Sequence, residues 1–347
     1  MSSRMRLCAL VAFVATVAAS ACNGQLQPSP AKTGFGPNRL YAAVVGFINS
    51  SPTPTPTPGA YIFASPFSSA STPLGVVTET AAIPALGIAV DPNDPTGTLY
   101  LTTLSPSGIA VFPRPAGATS APLFAITSGF IEPVSEAFDA MHDLFVADAA
   151  ANKIFELIHP ISASTVPTAL TISGTTEPVC VALDASGNLY VLDNKGTQSA
   201  PQDSLEQFSA LSGAPAASTM AGLTGTGFQG QGIEGCAYDS VTHMMYVANA
   251  LVSSTTISGA VLGYATPLSN GASQVTTIAV PAKNAPFGMT FDSTGTLYVD
   301  EVAAIGPATT SVIAIYPGPV SSASVFSTAI PDLSSNPGLS LQLAVGP

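Results

Sequence analysis

Val179-Cys-Val-Ala-Leu-Asp184, a turn, and then Gly187-Asn-Leu-Tyr-Val191 form one stretch in which apolar residues run up to an Asp, reverse at a glycine and run on through an aromatic. Two apolar runs joined by an Asp-and-Gly turn make an antiparallel hairpin. The unit recurs. Its first half reads Leu86-Gly-Ile-Ala-Val-Asp91, Val134-Ser-Glu-Ala-Phe-Asp139, Glu234-Gly-Cys-Ala-Tyr-Asp239 and Phe287-Gly-Met-Thr-Phe-Asp292. Its second half reads Gly97-Thr-Leu-Tyr-Leu101, His142-Asp-Leu-Phe-Val146, His243-Met-Met-Tyr-Val247 and Gly295-Thr-Leu-Tyr-Val299. The Asp residues at 91, 139, 184, 239 and 292 are spaced close to the roughly 40 to 50 residues of a four-stranded repeat.

A third strand follows each hairpin, with an aromatic near its end in most copies: Ile109 to Phe112, Ile154 to Leu157, Leu205 to Phe208, Val261 to Tyr264 and Val312 to Tyr316. Fourth apolar stretches such as Pro122 to Ile126, Ala169 to Ile172 and Val275 to Ala279 lead to the next copy. Four strands per unit is the make-up of a propeller blade. Such a unit cannot bury its sheet faces alone, so the copies stack around an axis. The ends supply a sixth unit. Arg39-Leu-Tyr-Ala-Ala43 matches a second strand and Ala60-Tyr-Ile-Phe63 a third, while Gly338-Leu-Ser-Leu-Gln342 matches a first strand with nothing after it. Pairing tail with head removes two exposed sheet edges. The expected fold is therefore all-β, a six-bladed β-propeller over residues 39–347, closed by the C-terminal strand.

Composition agrees: hydrophobic residues make up 46% and charged ones 8%, with 30 Gly and 31 Pro, which suits short strands and tight turns better than long surface helices. A net charge of −12 with 8 Lys and Arg leaves no cationic stripe for phosphates, which argues against a nucleic-acid partner. Residues 1–21 read as an export signal: Arg4 and Arg6, an apolar run from Leu7 to Val17, then Ala19-Ser20-Ala21. Cys22 follows at once, so the site resembles a lipoprotein lipobox, with Ala19 where Leu is usual; lipidation of Cys22 and plain cleavage after Ala21 both fit. Residues 22–38 then form a polar tether, and the protein is expected in the cell envelope or secreted, touching a membrane only through that anchor.

The pattern Pro-x-Gly-x-Ala-x-Asp, a Gly turn, then Leu-Tyr-Val-x-Asp, with Val-Ala-Asp148 and Val-Leu-Asp193 as its closest copies, resembles NHL-repeat proteins and their gluconolactonase-like relatives of the SMP-30 type. The resemblance covers roughly residues 39–347, although the Arg usual in NHL third strands is absent, with Lys153 the nearest substitute. It implies a six-bladed propeller and, in the gluconolactonase-like members, a divalent metal at the channel mouth held by carboxylates and an amide.

Candidate chemistry gathers where first strands begin and second strands end, one face of the disc because the strands are antiparallel. Glu132, Glu177, Glu234 and Asn284 precede first strands, and Asp148, Asp193, Asn249, Asp300 and Glu301 follow second strands. Such oxygens suit Ca2+ or another divalent cation; equally, the Asp and Asn side chains can hydrogen-bond their own turns with the Glu residues solvated. Glu136 stands in a column otherwise apolar, alongside Ile88, Val181, Cys236, Met289 and Leu339, which points to a perturbed carboxyl or to a site that water reaches. Cys180 and Cys236 sit one position apart in neighbouring repeats, so they face a shared gap, either as a disulfide or as separate buried thiols. His142, His159 and His243 read as surface residues, with no triad and no zinc-ligand spacing among them. Gly225 to Gly232 lacks the strand, helix and Lys of a phosphate loop, and Pro52 to Pro58 reads as a stiff polyproline II loop. These features favour a noncatalytic binding or scaffold propeller whose partner at the channel face is a protein, glycan or small molecule; the alternative is a metal-dependent hydrolase or lyase at the acidic mouth.

Overall fold

In the computed structural model of the chain, residues 39–46, 58–78, 85–91, 94, 97–113, 121–170, 172, 174–194, 196–197, 200–201, 203–208, 219–222, 233–252, 257–305, 308–330 and 338–346 are described. The expected signal and tether, Cys22, the Thr-Pro run up to Thr57 and the loop at 225–232 lie outside them.

The described secondary structure is all strand. The chain begins with β1 (Arg39–Gly46), β2 (Pro58–Ala64) and β3 (Gly75–Thr78), which belong to blade I. Blade II is β4 (Ala85–Val90), β5 (Leu99–Leu104), β6 (Ser107–Phe112) and β7 (Phe124–Ile126); blade III is β8 (Pro133–Phe138), β9 (Leu144–Asp148), β10 (Lys153–Leu157) and β11 (Thr168–Ala169). Blade IV is β12 (Pro178–Leu183), β13 (Leu189–Asp193), β16 (Ser204–Phe208) and β17 (Thr219–Gly222), with a small hairpin of β14 (Gly196–Thr197) and β15 (Ala200–Pro201) inserted. Blade V is β18 (Ile233–Asp239), β19 (Met244–Val252), β20 (Ile257–Ala265) and β21 (Thr276–Ala279). Blade VI is β22 (Asn284–Phe291), β23 (Leu297–Ile305), β24 (Ala308–Tyr316) and β25 (Thr328–Ile330), and β26 (Gly338–Gly346) completes blade I in the order β26-β1-β2-β3. All pairings are antiparallel. The first strands touch in sequence, β4 with β8, β8 with β12, β12 with β18, β18 with β22, β22 with β26, and β26 with β4, so the six blades form a closed ring.

Register corrects one expectation. In blades II, III and IV, Ile88 pairs with Leu101, Glu136 with Val146 and Val181 with Val191. In blade I the equivalent second-strand residue, Ala42, pairs with Leu343 and not Leu339. The true first-strand match is Leu341 to Val345. Gly338 to Ser340 run on beyond a register shift at Ala43/Val44 and pair with Val44 to Gly46. Both segments alternate apolar and other residues, and alternation alone does not distinguish registers that differ by an even number of residues.

The repeat Asp residues of blades III to VI bond their own turns. Asp184 Oδ1 accepts from the amides of Ser186 and Asn188, at 2.8 and 2.9 Å, and its Oδ2 accepts from the Tyr190 hydroxyl at 3.0 Å. Asp292 repeats this with Thr294, Thr296 and Tyr298. In blades IV and VI the Asp thus closes its own turn and ties down the buried second-strand tyrosine. The turn also needs a residue with positive φ, supplied by Gly97 (67°), Gly187 (77°) and Gly295 (78°), but in blades III and V by His142 (70°) and His243 (54°). An L side chain there costs about 1–2 kcal/mol, with His among the more tolerant types.

Candidate functional site

At the acidic face, the aspartates that end second strands serve the backbone. Asp148 is fully buried; its Oδ1 accepts from the amides of Glu132 (2.9 Å) and Ala151 (2.9 Å), and its Oδ2 from that of Ile131 (2.7 Å). Asp193, also fully buried, accepts from the amides of Thr176 (3.0 Å) and Glu177 (2.7 Å). The loop is clasped reciprocally, because the amides of Ala149 and Asn194 donate to the carbonyls of Glu132 and Glu177, each at 3.0 Å. Glu132 and Glu177 therefore meet the aspartates through their own backbone amides. Several amide donors on one carboxylate hold a loop firmly and leave few lone pairs for a metal.

In blade VI, Glu301 takes the corresponding place. Its Oε2 accepts from Asn284 Nδ2 at 2.8 Å and its Oε1 from the Tyr316 hydroxyl at 2.6 Å. Burial still pushes its pKa upward, with the two donors pulling the other way. Asn249 is buried at the end of the matching run in blade V, paired with Ile233, and the Glu234 side chain lies outside the described structure. Among the described residues, one group of three His, Cys, Asp or Glu side chains brings ligand atoms within 4.8 Å of one another, and it is not at this face. A Ca2+ site needs six to eight converging oxygens. The Asp148 and Asp193 carboxylates are turned into their own loops, and that of Glu301 is held by Asn284 and Tyr316.

Between blades, a small residue in the first strands of blades II, III and IV (Gly87, Ser135 and Cys180) faces the following blade. Ser135 Oγ accepts from the Val181 amide at 3.3 Å, and Cys180 is joined by a disulfide to Cys236, with Cα atoms 6.0 Å apart. Gly87 in the same column lies against Glu136; a Cβ there would overlap Glu136 Oε2. Glu136 is thus accommodated by the missing side chain of Gly87 and packed beside Thr102, whose Oγ1 accepts from the Gly87 amide. It is fully buried in the gap between blades II and III, not on a watered channel wall.

Neither oxygen of Glu136 has a hydrogen-bond partner of good geometry. Burial pushes its pKa well above the usual carboxylate range, the nearby Thr102 amide offsetting part of that. Above about pH 4.3, where an unfolded Glu ionises, the folded chain retains a proton that the unfolded chain releases. Stability contributed by this group is therefore full below that pH and is lost as pH rises toward the raised folded pKa. Glu136→Gln keeps the shape and removes the titration. Denaturant melts from pH 4 to 8 should show the variant gaining on the wild type steadily with pH; parallel curves would show that Glu136 is solvated after all.

The opposite face holds a constellation that the sequence did not disclose. His142 Nδ1 lies 2.8 Å from Asp91 Oδ2, and the rings of His142 and His159 are 5.2 Å apart between centroids. Asp91 ends the first strand of blade II, His142 fills the positive-φ turn of blade III, and His159 follows the third strand of blade III. Asp91 is buried, His142 partly buried and His159 exposed. The His159 amide donates to Asp143 Oδ1 at 2.6 Å, which fixes the backbone that carries the ring. His243, in the same turn of blade V, instead places Nδ1 3.0 Å from the Tyr238 hydroxyl. The surface reading holds for His159 and His243, whereas His142 belongs to an interblade contact. The signal in the sequence was His standing where three other repeats have Gly.

No protein-family model matches the chain, and no curated protein matches it. Among solved structures, it is similar to a protein of unknown function from Bacteroides caccae, at 12% identity and a TM-score of 0.56, covering 89% of this chain and 99% of that one. It is also similar to hydrazine synthase from Kuenenia stuttgartiensis, at 10% identity and a TM-score of 0.51 over 71% of this chain; it spans 66% of that chain's length. A gluconolactonase from Xanthomonas campestris is similar at 13% identity over 70% of this chain and 76% of its own, with a TM-score of 0.45, too distant to bear on chemistry. At these identities the likeness speaks to fold alone, and the fold is a six-bladed β-propeller.

Proposed function

We propose that the chain is an exported, noncatalytic propeller that acts as a binding scaffold in the cell envelope, with residues 1–21 as its export signal and Cys22 as its lipid attachment point. The observation that carries the noncatalytic reading is Asp148, whose carboxylate is occupied by three backbone amides. A hydrolase or lyase at this face needs a carboxylate available to move a proton or to hold a metal. A scaffold needs a rigid rim, and carboxylates that staple loops to the ends of first and second strands provide one. The partner in this reading is a protein, glycan or small molecule at the channel face; the charge of −12 disfavours polyanions.

The test is turnover. The purified chain, given sugar lactones and simple esters with millimolar Ca2+, Mg2+ or Zn2+, should not exceed the uncatalysed rate. Turnover that disappears in Asp148→Asn would overturn the reading. For the anchor, membrane fractions should contain the wild type but not Cys22→Ser; equal partitioning would remove lipidation from the proposal.

A further inference from the structure

We propose that Asp91, His142 and His159 form a binding site for a first-row divalent metal of the Zn2+ type, clasping blades II and III on the face opposite the acidic one. Two imidazoles and one carboxylate, each offering one ligand atom within 4.8 Å of the others, are the donor set of open zinc and iron sites. Imidazole nitrogen selects such metals over Ca2+ and Mg2+, which prefer oxygen. Three protein ligands leave a position open, and the exposure of His159 puts that position in solvent, where water or an anionic ligand can complete it.

The arrangement is built in three ways. Asp91 comes from one blade and both histidines from the next, so the site forms only when the two blades seat. The His159 backbone is held by Asp143. His142 occupies a left-handed turn position that glycine fills in blades II, IV and VI, so its side chain is kept against backbone preference. In the metal-free protein the His142 Nδ1 and Asp91 Oδ2 atoms share a hydrogen bond. On binding, the metal replaces the proton between Nδ1 and Oδ2, which passes through solvent to Nε2 so that the ring stays neutral, and the metal exchanges bound waters for the ligand atoms of Asp91, His142 and His159.

Isothermal titration of the chelator-stripped chain with ZnCl2 tests this. The wild type should bind one Zn2+, and Ca2+ should give no saturable heat. His142→Gly, whose new residue suits the turn, and His159→Ala should each weaken Zn2+ binding by roughly tenfold or more. His243→Gly makes the same turn exchange in blade V and should bind as the wild type does. Melts in the presence of chelator confirm that each variant is folded. Absence of micromolar Zn2+ binding by the wild type overturns the proposal. So does unchanged binding in either His142→Gly or His159→Ala, since the metal would then sit elsewhere.

Discussion

Replacing Cys180 and Cys236 together with alanine should lower the free energy of unfolding by about 4 kcal/mol. The two residues are 56 apart in sequence, and a cross-link closing a loop of that length removes that much entropy from the unfolded chain, between the values for much shorter and much longer loops. The bond joins the first strands of blades IV and V, so it also fixes two neighbours of the ring at the axis, where both cysteines are fully buried. Alanine is chosen because it is apolar and small in a buried column, which limits added cost. Equilibrium denaturation of the variant against the unreduced wild type measures the difference, and reductant should carry the wild type toward the variant. A loss under about 1 kcal/mol would mean that the thiols are separate in solution or that the unfolded chain keeps structure around them.

The ring was legible because hairpin, turn and aromatic recur as residue types, and because a blade with an unmatched second strand at one end demands a first strand from the other. The shared gap of Cys180 and Cys236 was legible for a related reason: a displacement of one position in two aligned repeats, combined with alternation across a strand, aims one side chain forward and the other back, while the choice between a bond and separate thiols stayed open until the structure joined them. The register of β26 was not legible. Gly338 to Gln342 and Leu341 to Val345 both alternate acceptably, and only the pairing of Ala42 with Leu343 decides between them.

The acidic face shows a different limit. Asp148, Asp193 and Glu301 were correctly placed by counting along the strands, yet what they do depends on which donors point at them. Backbone amides carry no residue-type signature, so a carboxylate that staples a loop and one that holds a cation look alike in sequence. The Asp91 and His142 contact is hidden otherwise: its partners are 51 residues apart and belong to different blades, so neither repeat contains the pair.

Gly235→Ala should cost about 3 kcal/mol, the upper part of the usual range for overpacking. A Cβ on Gly235 would overlap the Phe287 carbonyl oxygen and come within 3.3 Å of Gly288 Cα, both backbone of the next blade's first strand. Side chains can swing aside, but these atoms move only if β18 and β22 separate. Gly87 provides the contrast within the same column, because the atoms its Cβ would meet are the Glu136 carboxyl and the Thr102 Oγ1, both on side chains. Gly87→Ala should therefore be relieved in part in a Glu136→Ala background, with the Thr102 side chain left to shift, whereas no side-chain truncation rescues Gly235→Ala. Denaturation midpoints of the four variants decide the matter. If Gly235→Ala is tolerated, the first strands of blades V and VI are not seated backbone to backbone. The rim carried by Asp148, Asp193 and Glu301 would then lack the rigid base that the scaffold reading requires.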